Sequence, residues 1–438
     1  MNRSAGPRLS ASPLPTRMAH GIFWTVCGSV AIQGAGLLGS ILCARILGES
    51  SFGEFAIVRS TLLMLGVLAG SGMGVVATKY VAEYRETDRG RAGRMIGLLI
   101  RVSAFCGGGI GFSCLLLASP LAVWGMNAEH LSLALRIGCL LPLLYSLSGV
   151  QLGVLAGLES FQSVAWLNSL DAILILAFGV GGAWTSGVDG AVLGLVTAAT
   201  TAFFVKHRTV ASQCFRRGMR FSVPTCRTER SEVWRGALPA ILLGLVFFPF
   251  DWFTRLLLTR QPGGFSELGI FTAAHMWGQM VLFLPAQAVG PTQALFANLL
   301  GSGHVASFRR LVAITVVSAA GLAILVAIAL SVLSRQIMAA YGASFGEGWR
   351  TLVLVALAHV FYASTMPFKS ILITLGKIWS QTLHHCILGA TLLLSAVLLR
   401  HHGASGLALA HVIAWFVMFV CQALVVIGAM RHYGSARV

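Results

Sequence analysis

The sequence predicts an all-α, polytopic membrane protein of 12 transmembrane helices, arranged as two parallel six-helix lobes around a central cavity. Three observations predict it. Hydrophobic residues make up 56% of the 438 positions and charged ones only 10%. Apolar runs of span length recur along the chain, and the second half repeats positions of the first. A soluble protein carries roughly a quarter charged residues, whereas a span takes about 20 apolar ones. Twelve spans would use roughly 240 positions and leave only short loops, so neither a soluble enzyme nor a large extramembrane catalytic domain fits.

The elements follow in order. Residues 1–17, rich in Ser, Pro and Arg, read as a disordered tail. The apolar run over 18–44 is too long for a signal-peptide core and is expected to remain as the first helix. Further runs near 54–78, 95–118, 131–157, 162–184 and 188–205 complete a first lobe over 18–205. A basic linker over 206–235 follows. Runs near 236–258, 269–290, 311–333, 351–375, 378–399 and 406–430 form a second lobe over 236–430, and 431–438 is a tail.

Orientation comes from the basic residues. Of 31 Lys and Arg, 21 fall on the side of the N-terminus, among them Lys206, and five on the opposite side: Arg45, Arg260, Arg335, Arg350 and Arg400. That asymmetry places both termini in the cytoplasm. The formal charge of +17 is therefore a matter of topology. No contiguous basic module exists to grip nucleic acid.

The halves match at an offset near 216. Gly53 and Phe55 pair with Gly269 and Phe271, Gly74 with Gly290, and Arg94 with Arg310. Gly187-x-x-Gly190 pairs with Gly403-x-x-Gly406. At slightly shifted offsets Arg45 and Gly48 pair with Arg260 and Gly263, and Gly157 and Gln162 with Gly376 and Gln381. Six spans per half insert both halves the same way up, the arrangement of an alternating-access transporter. Gly34, Gly36 and Gly39 in the first span, and Pro249 in the seventh, mark expected bends, as do Pro285 and Gly290-Pro291 in the eighth. Gly66, Gly70 and Gly74 in the second span read as a close-packing face.

Motifs for chemistry are missing from the sequence. It has no phosphate-binding G-x-x-x-x-G-K-[ST], no H-E-x-x-H, no D-x-D among its four Asp and no Cys-x-x-Cys among its nine cysteines. We expect no enzyme activity, cofactor or metal site. What stands out is the ionisable residues within apolar runs, which are expensive there and point to function. Arg59, Arg136, Arg101, Lys369 and Arg255 are candidates for a cationic cavity. The alternative for the first four is snorkelling to the nearer headgroups. Asp171 sits near the middle of the fifth span, where a carboxylate must pair with a base, bind a cation or be protonated. Asp251 and Arg255, at i and i+4, are expected to pair. Asp171, Asp251, His275 and His359 are the candidates for ion coupling, the alternative for the histidines being a bond to a backbone carbonyl. Five basic against two acidic groups suit an anionic cargo such as a diphosphate or acidic sugars.

Four segments carry a resemblance. S-I-L-C-A-R-I-L-G-E-S-S-F-G-E-F-A-I (40–57), G-S-G-M-G-V-V-A-T-K-Y-V-A-E-Y-R (70–85), G-V-L-A-G-L-E-S-F (153–161) and G-V-D-G-A-V-L-G (187–194) resemble the oligosaccharide (Wzx-type) flippases. That family belongs to the multidrug/oligosaccharidyl-lipid/polysaccharide exporter superfamily. The resemblance covers essentially the whole chain. It implies flipping of an undecaprenyl-diphosphate-linked oligosaccharide across the bacterial inner membrane by rocking of two lobes, with proton or cation coupling. Partners would be the polyprenyl-diphosphate-linked glycan and membrane lipids, with a glycan polymerase and glycosyltransferases as further candidates. Arg59 matches a basic residue of the second helix in such flippases. The second half departs from the family pattern, with T-R-Q-P-G-G-F-S-E-L-G (259–269) in place of R-x-L-G-x-x-x-F-G. The other readings are a cation-coupled multidrug exporter of the same superfamily, and a non-transporting scaffold for glycan-assembly enzymes.

Overall fold

The computed structural model describes residues 14–70, 72–219, 248–302 and 304–435. Among them there are helices, turns and no strand. In chain order the helices are α1 (Leu14–Gly70), α2 (Met73–Tyr84), α3 (Arg89–Pro120), α4 (Ser132–Gly138), α5 (Leu141–Gly157) and α6 (Phe161–Arg216). They continue with α7 (248–259), α8 (Gly264–Gly301), α9 (Val305–Val332), α10 (Ser334–Ala339), α11 (Trp349–Thr374), α12 (Ile378–Leu398) and α13 (Gly403–Ser435). Nine stretches among the described residues are helical, long and apolar enough to cross a membrane. Two of these are hairpins of two arms, bent at Gly48 in α1 and at Ser186–Gly187 in α6. The described part of the seventh expected span is α7.

The bends carry the repeat into three dimensions. Gly187 has φ 59 and ψ −133, and Gly403 has φ 58 and ψ −138. Side chains with a Cβ avoid that region, so glycine at both positions is a backbone requirement. The pairing of Gly157 with Gly376 needs a shift of two residues. The left-handed residue of the first-half turn is Glu159 (φ 55), opposite Gly376 (φ 70). Arg85 holds Glu159 there, its Nη2 lying 2.5 Å from the Glu159 carboxylate.

Several expected boundaries move. The helix begins at Leu14, inside the stretch read as a tail, because Pro15 falls in the first turn, where its missing N–H costs nothing. Helix α6 runs to Arg216 rather than ending near 205, since Lys206, Val210 and Cys214 are buried at four-residue spacing. Helix α13 likewise extends to Ser435. Residues 1–13 and 436–438, the linker from 220 onward and the expected span up to 247 lie outside the described residues.

The expected bends are also relocated. Helix α1 is helical through Gly34, Gly36 and Gly39, and α8 is helical through Pro285 and Gly290-Pro291. Long helices supported by neighbours accommodate a proline without breaking. The break in this part of the first half falls instead at Gly72, which is left-handed (φ 82) ahead of α2. The glycine face does pack closely. A Cβ at Gly66 would meet Tyr145, one at Gly70 would meet Ser146, and one at Gly74 would meet the Gly149 carbonyl.

Helices α1–α6 form one bundle and α7–α13 a second, with α1 starting and α13 ending on the same face, called here the terminal face. On the opposite, distal face the bundles share one hydrophobic core. It includes Phe52, Ile57, Leu62 and Leu135 of the first bundle with Phe271, Tyr341, Phe345 and Ala363 of the second. Towards the terminal face the cores are separate. One is built around Met73, Met95, Leu155 and Val210, the other around Phe296, Phe308, Ile371 and Val426.

The distal seam is closed by backbone and by charge. A Cβ at Gly53 would fall on the Phe265 carbonyl, and one at Gly269 on the Glu49 carbonyl, so α1 and α8 touch main chain to main chain. Arg45 Nε donates to the Ala340 carbonyl at 2.7 Å. Arg260 Nε donates to the Gly125 carbonyl at 2.9 Å, and its Nη2 to that of Trp124.

Candidate functional site

In the second bundle, one polar cluster draws on four helices. On α7, Asp251 and Arg255 lie one turn apart, and Arg255 Nε donates to Asp251 Oδ2 at 3.0 Å. The guanidinium also lies 5.4 Å over the ring of Phe271. On α8, Phe271, His275 and Gln279 share a face at four-residue spacing, and Phe271 stacks on His275. On α11, His359 donates from Nδ1 to the Val355 carbonyl at 2.8 Å. On α13, His411 makes the same bond to the Leu407 carbonyl at 2.9 Å.

This back-bond to the preceding turn fixes the ring and aims Nε2 inward. His359 Nε2 then meets the Gln279 amide nitrogen at 3.3 Å, and the same nitrogen meets His275 Nε2 at 3.1 Å. His411 Nε2 lies 3.3 Å from Asp251 Oδ1. Gly278 makes room for this approach, because a Cβ there would lie 2.6 Å from the His359 ring.

In the first bundle, Asp171 lies on the first arm of α6 and Lys206 on the second. Their charges meet at 2.5 Å, and Lys206 also donates to the Ser148 hydroxyl at 3.4 Å. Lys206 is 3% exposed. Asp171 Oδ1 is buried without a hydrogen-bond partner among the described residues. Arg59 is half-buried on the second arm of α1. The bundles are joined at this level by Trp252, which donates from Nε1 to the Thr61 hydroxyl at 2.7 Å. Thr61 is two residues from Arg59, and Trp252 adjoins Asp251.

The structure therefore brings together Asp251, Arg255, His275 and His359, and it sets Asp171 and Arg59 in the facing bundle. It does not gather the remaining candidates. Arg136 is exposed and donates to the Ser119 hydroxyl at 2.8 Å. Arg101 and Lys369 are also exposed, as snorkelling side chains would be.

Three central residues escaped sequence reasoning. Lys206, counted with the basic linker, is the partner of Asp171; the buried spacing 206, 210, 214 was the available signal. His411 lies in the last span, and nothing local distinguishes it from any histidine bonded to its own helix. Gln279 gave no signal beyond its spacing from His275.

The family described as "Polysaccharide biosynthesis protein" matches residues 18–297. The EPS I polysaccharide export inner membrane protein EpsE of Ralstonia nicotianae (strain ATCC BAA-1114 / GMI1000) is 22% identical over 409 residues, 90% of each chain. The lipid III flippase of Escherichia coli (strain K12) is 32% identical over 192 residues, 41% of this chain and 42% of its own. A multidrug resistance MATE family transporter of the MOP superfamily, solved in an inward-facing conformation, shares the fold. Its TM-score is 0.79 at 15% identity, over 95% of this chain and 100% of the other.

Proposed function

The chain belongs to the polysaccharide biosynthesis protein family, and from that premise we propose that it is a flippase for lipid-linked glycan units in the bacterial inner membrane. The cargo is a glycan on a polyprenyl, by resemblance undecaprenyl, diphosphate. Both termini face the cytoplasm. The head group enters from that side, the lipid tail stays in the bilayer, and the two bundles rock to expose the site to the distal face. Coupling to a cation or proton resets the cycle. Glycosyltransferases deliver the cargo and a glycan polymerase consumes it.

One observation carries this reading. Arg59 is about 16 Å along its arm, eleven residues beyond the Gly48 bend, yet it has no hydrogen-bond or ion-pair partner among the described residues. A half-buried guanidinium at that depth suits an anion that comes and goes. Its charge is uncompensated among the described residues, and Thr61, two residues on, accepts from Trp252 of the second bundle. This positive balance also argues against the multidrug-exporter reading, because cationic drugs would be repelled. The test uses purified protein in liposomes with a fluorescent diphosphate-linked glycan. Arg59→Ala should slow flipping at least tenfold with the melting temperature unchanged; an unaltered rate would sink the reading.

A further inference from the structure

The three histidines of this cluster differ in what surrounds their nitrogens. His359 donates from Nδ1 to a carbonyl, so its Nε2 accepts from the Gln279 amide, the state of a neutral ring. The second N–H of that amide meets His275 Nε2, which is likewise an acceptor. His411 stands between two acceptors. Its Nδ1 faces the Leu407 carbonyl, and its Nε2 faces the carboxylate of Asp251. Neither oxygen brings a hydrogen, so both ring nitrogens must. Arg255 donates to the other carboxylate oxygen and holds Asp251 in its charged form.

We propose that Asp251 and His411 form a proton-binding site, with the proton on His411 Nε2, and that its occupancy sets the readiness of Arg255 to take an anion. The charged and titratable groups facing it are Asp251 and Arg255 from α7, His275 from α8 and His359 from α11. With the proton bound, one carboxylate is shared between two cations and the cluster carries one net positive charge. Without it, Asp251 neutralises Arg255 alone and the cluster is neutral. Anion binding and proton binding therefore reinforce each other, as reciprocal linkage requires. The effect on cargo rests on the flippase reading; the proton site itself does not.

Nitrogen-15 NMR of the histidine-labelled full chain in nanodiscs tests the site. One ring should carry protons on both nitrogens at neutral pH, and that signal should vanish in His411→Gln. In Asp251→Asn the side-chain amide can donate to a neutral His411, so the fold is expected to persist while the ring loses its second proton. A neutral His411 in the wild type overturns the proposal, as does a doubly protonated ring unaffected by Asp251→Asn. A second arm adds inorganic diphosphate in weak buffer at the pH where His411 is half protonated. Uptake of up to half a proton per chain, lost in both variants, supports the link to anion binding, whereas binding without uptake overturns it. Failure of diphosphate to bind, with the NMR signature present, counts against the diphosphate cargo and leaves the proton site standing.

Discussion

Lys206 and Asp171 show what a buried charge demands of its neighbours. Lys206 is almost fully enclosed, and Asp171 is its only carboxylate partner among the described residues. Removing one member leaves an uncompensated charge out of water, which costs about 3–5 kcal/mol, whereas replacing both with apolar groups is often neutral. We therefore expect Asp171→Asn to lower the melting temperature in detergent sharply, and Asp171→Asn with Lys206→Met to restore most of it. If the double variant melts no higher than the single one, the pair is not what holds the arms of α6 together. At this scale the sequence was legible only locally. Asp251 and Arg255 are one helical turn apart, so spacing alone found them. Asp171 and Lys206 are 35 positions apart, and Asp251 and His411 are 160 apart, so those pairs exist only after the helices pack.

Helices and their joints were more legible than single contacts, because repetition doubles the signal. Gly187 and Gly403 were matched by spacing, and their dihedrals agree within five degrees. Glu159 opposite Gly376 was not, since a charged residue in a left-handed turn leaves no mark until its partner Arg85 is seen. Prolines misled for the opposite reason: α8 keeps its helix through Pro285 and Pro291 within a packed bundle. The paired glycines also differ usefully. A Cβ at Gly187 meets nothing, so Gly187→Ala should cost only its backbone strain, about 1–3 kcal/mol. At Gly403 the Cβ would fall on the Glu267 carboxylate, which caps α13 by accepting from Ala404 N at 2.6 Å. Gly403→Ala should therefore melt lower than Gly187→Ala, and the reverse order would show that Glu267 is not a working cap.

The whole molecule was readable as two repeated helical bundles in a membrane, since composition, run length and offset all speak to that. Which face the bundles close was not, because the closure is made of main-chain oxygens, and every sequence has those. Arg45 and Arg260 occupy matching positions in the two halves, 215 residues apart, and their acceptors Trp124 and Ala340 match at 216. Each bundle thus extends one arginine to the same helical turn of the other, a pair of latches related by the internal repeat. A hydrogen bond from a charged donor contributes about 1.5–3 kcal/mol when shielded and nearer 1 kcal/mol when exposed, and both guanidiniums are exposed. Each such bond is then worth roughly a fivefold change in the ratio of closed to open distal face. Because Arg260 makes two such bonds and Arg45 one, Arg260→Gln should open the seam further than Arg45→Gln, and the double variant further still. Spin labels on the exposed Asn127 and Gln336, one on each bundle, report this by electron–electron distance measurement. The closed-state distance should lose population to a longer one in that order. Identical distributions in all four proteins would mean that the glycine contacts of α1 and α8 keep the face shut unaided, with the arginines mere passengers.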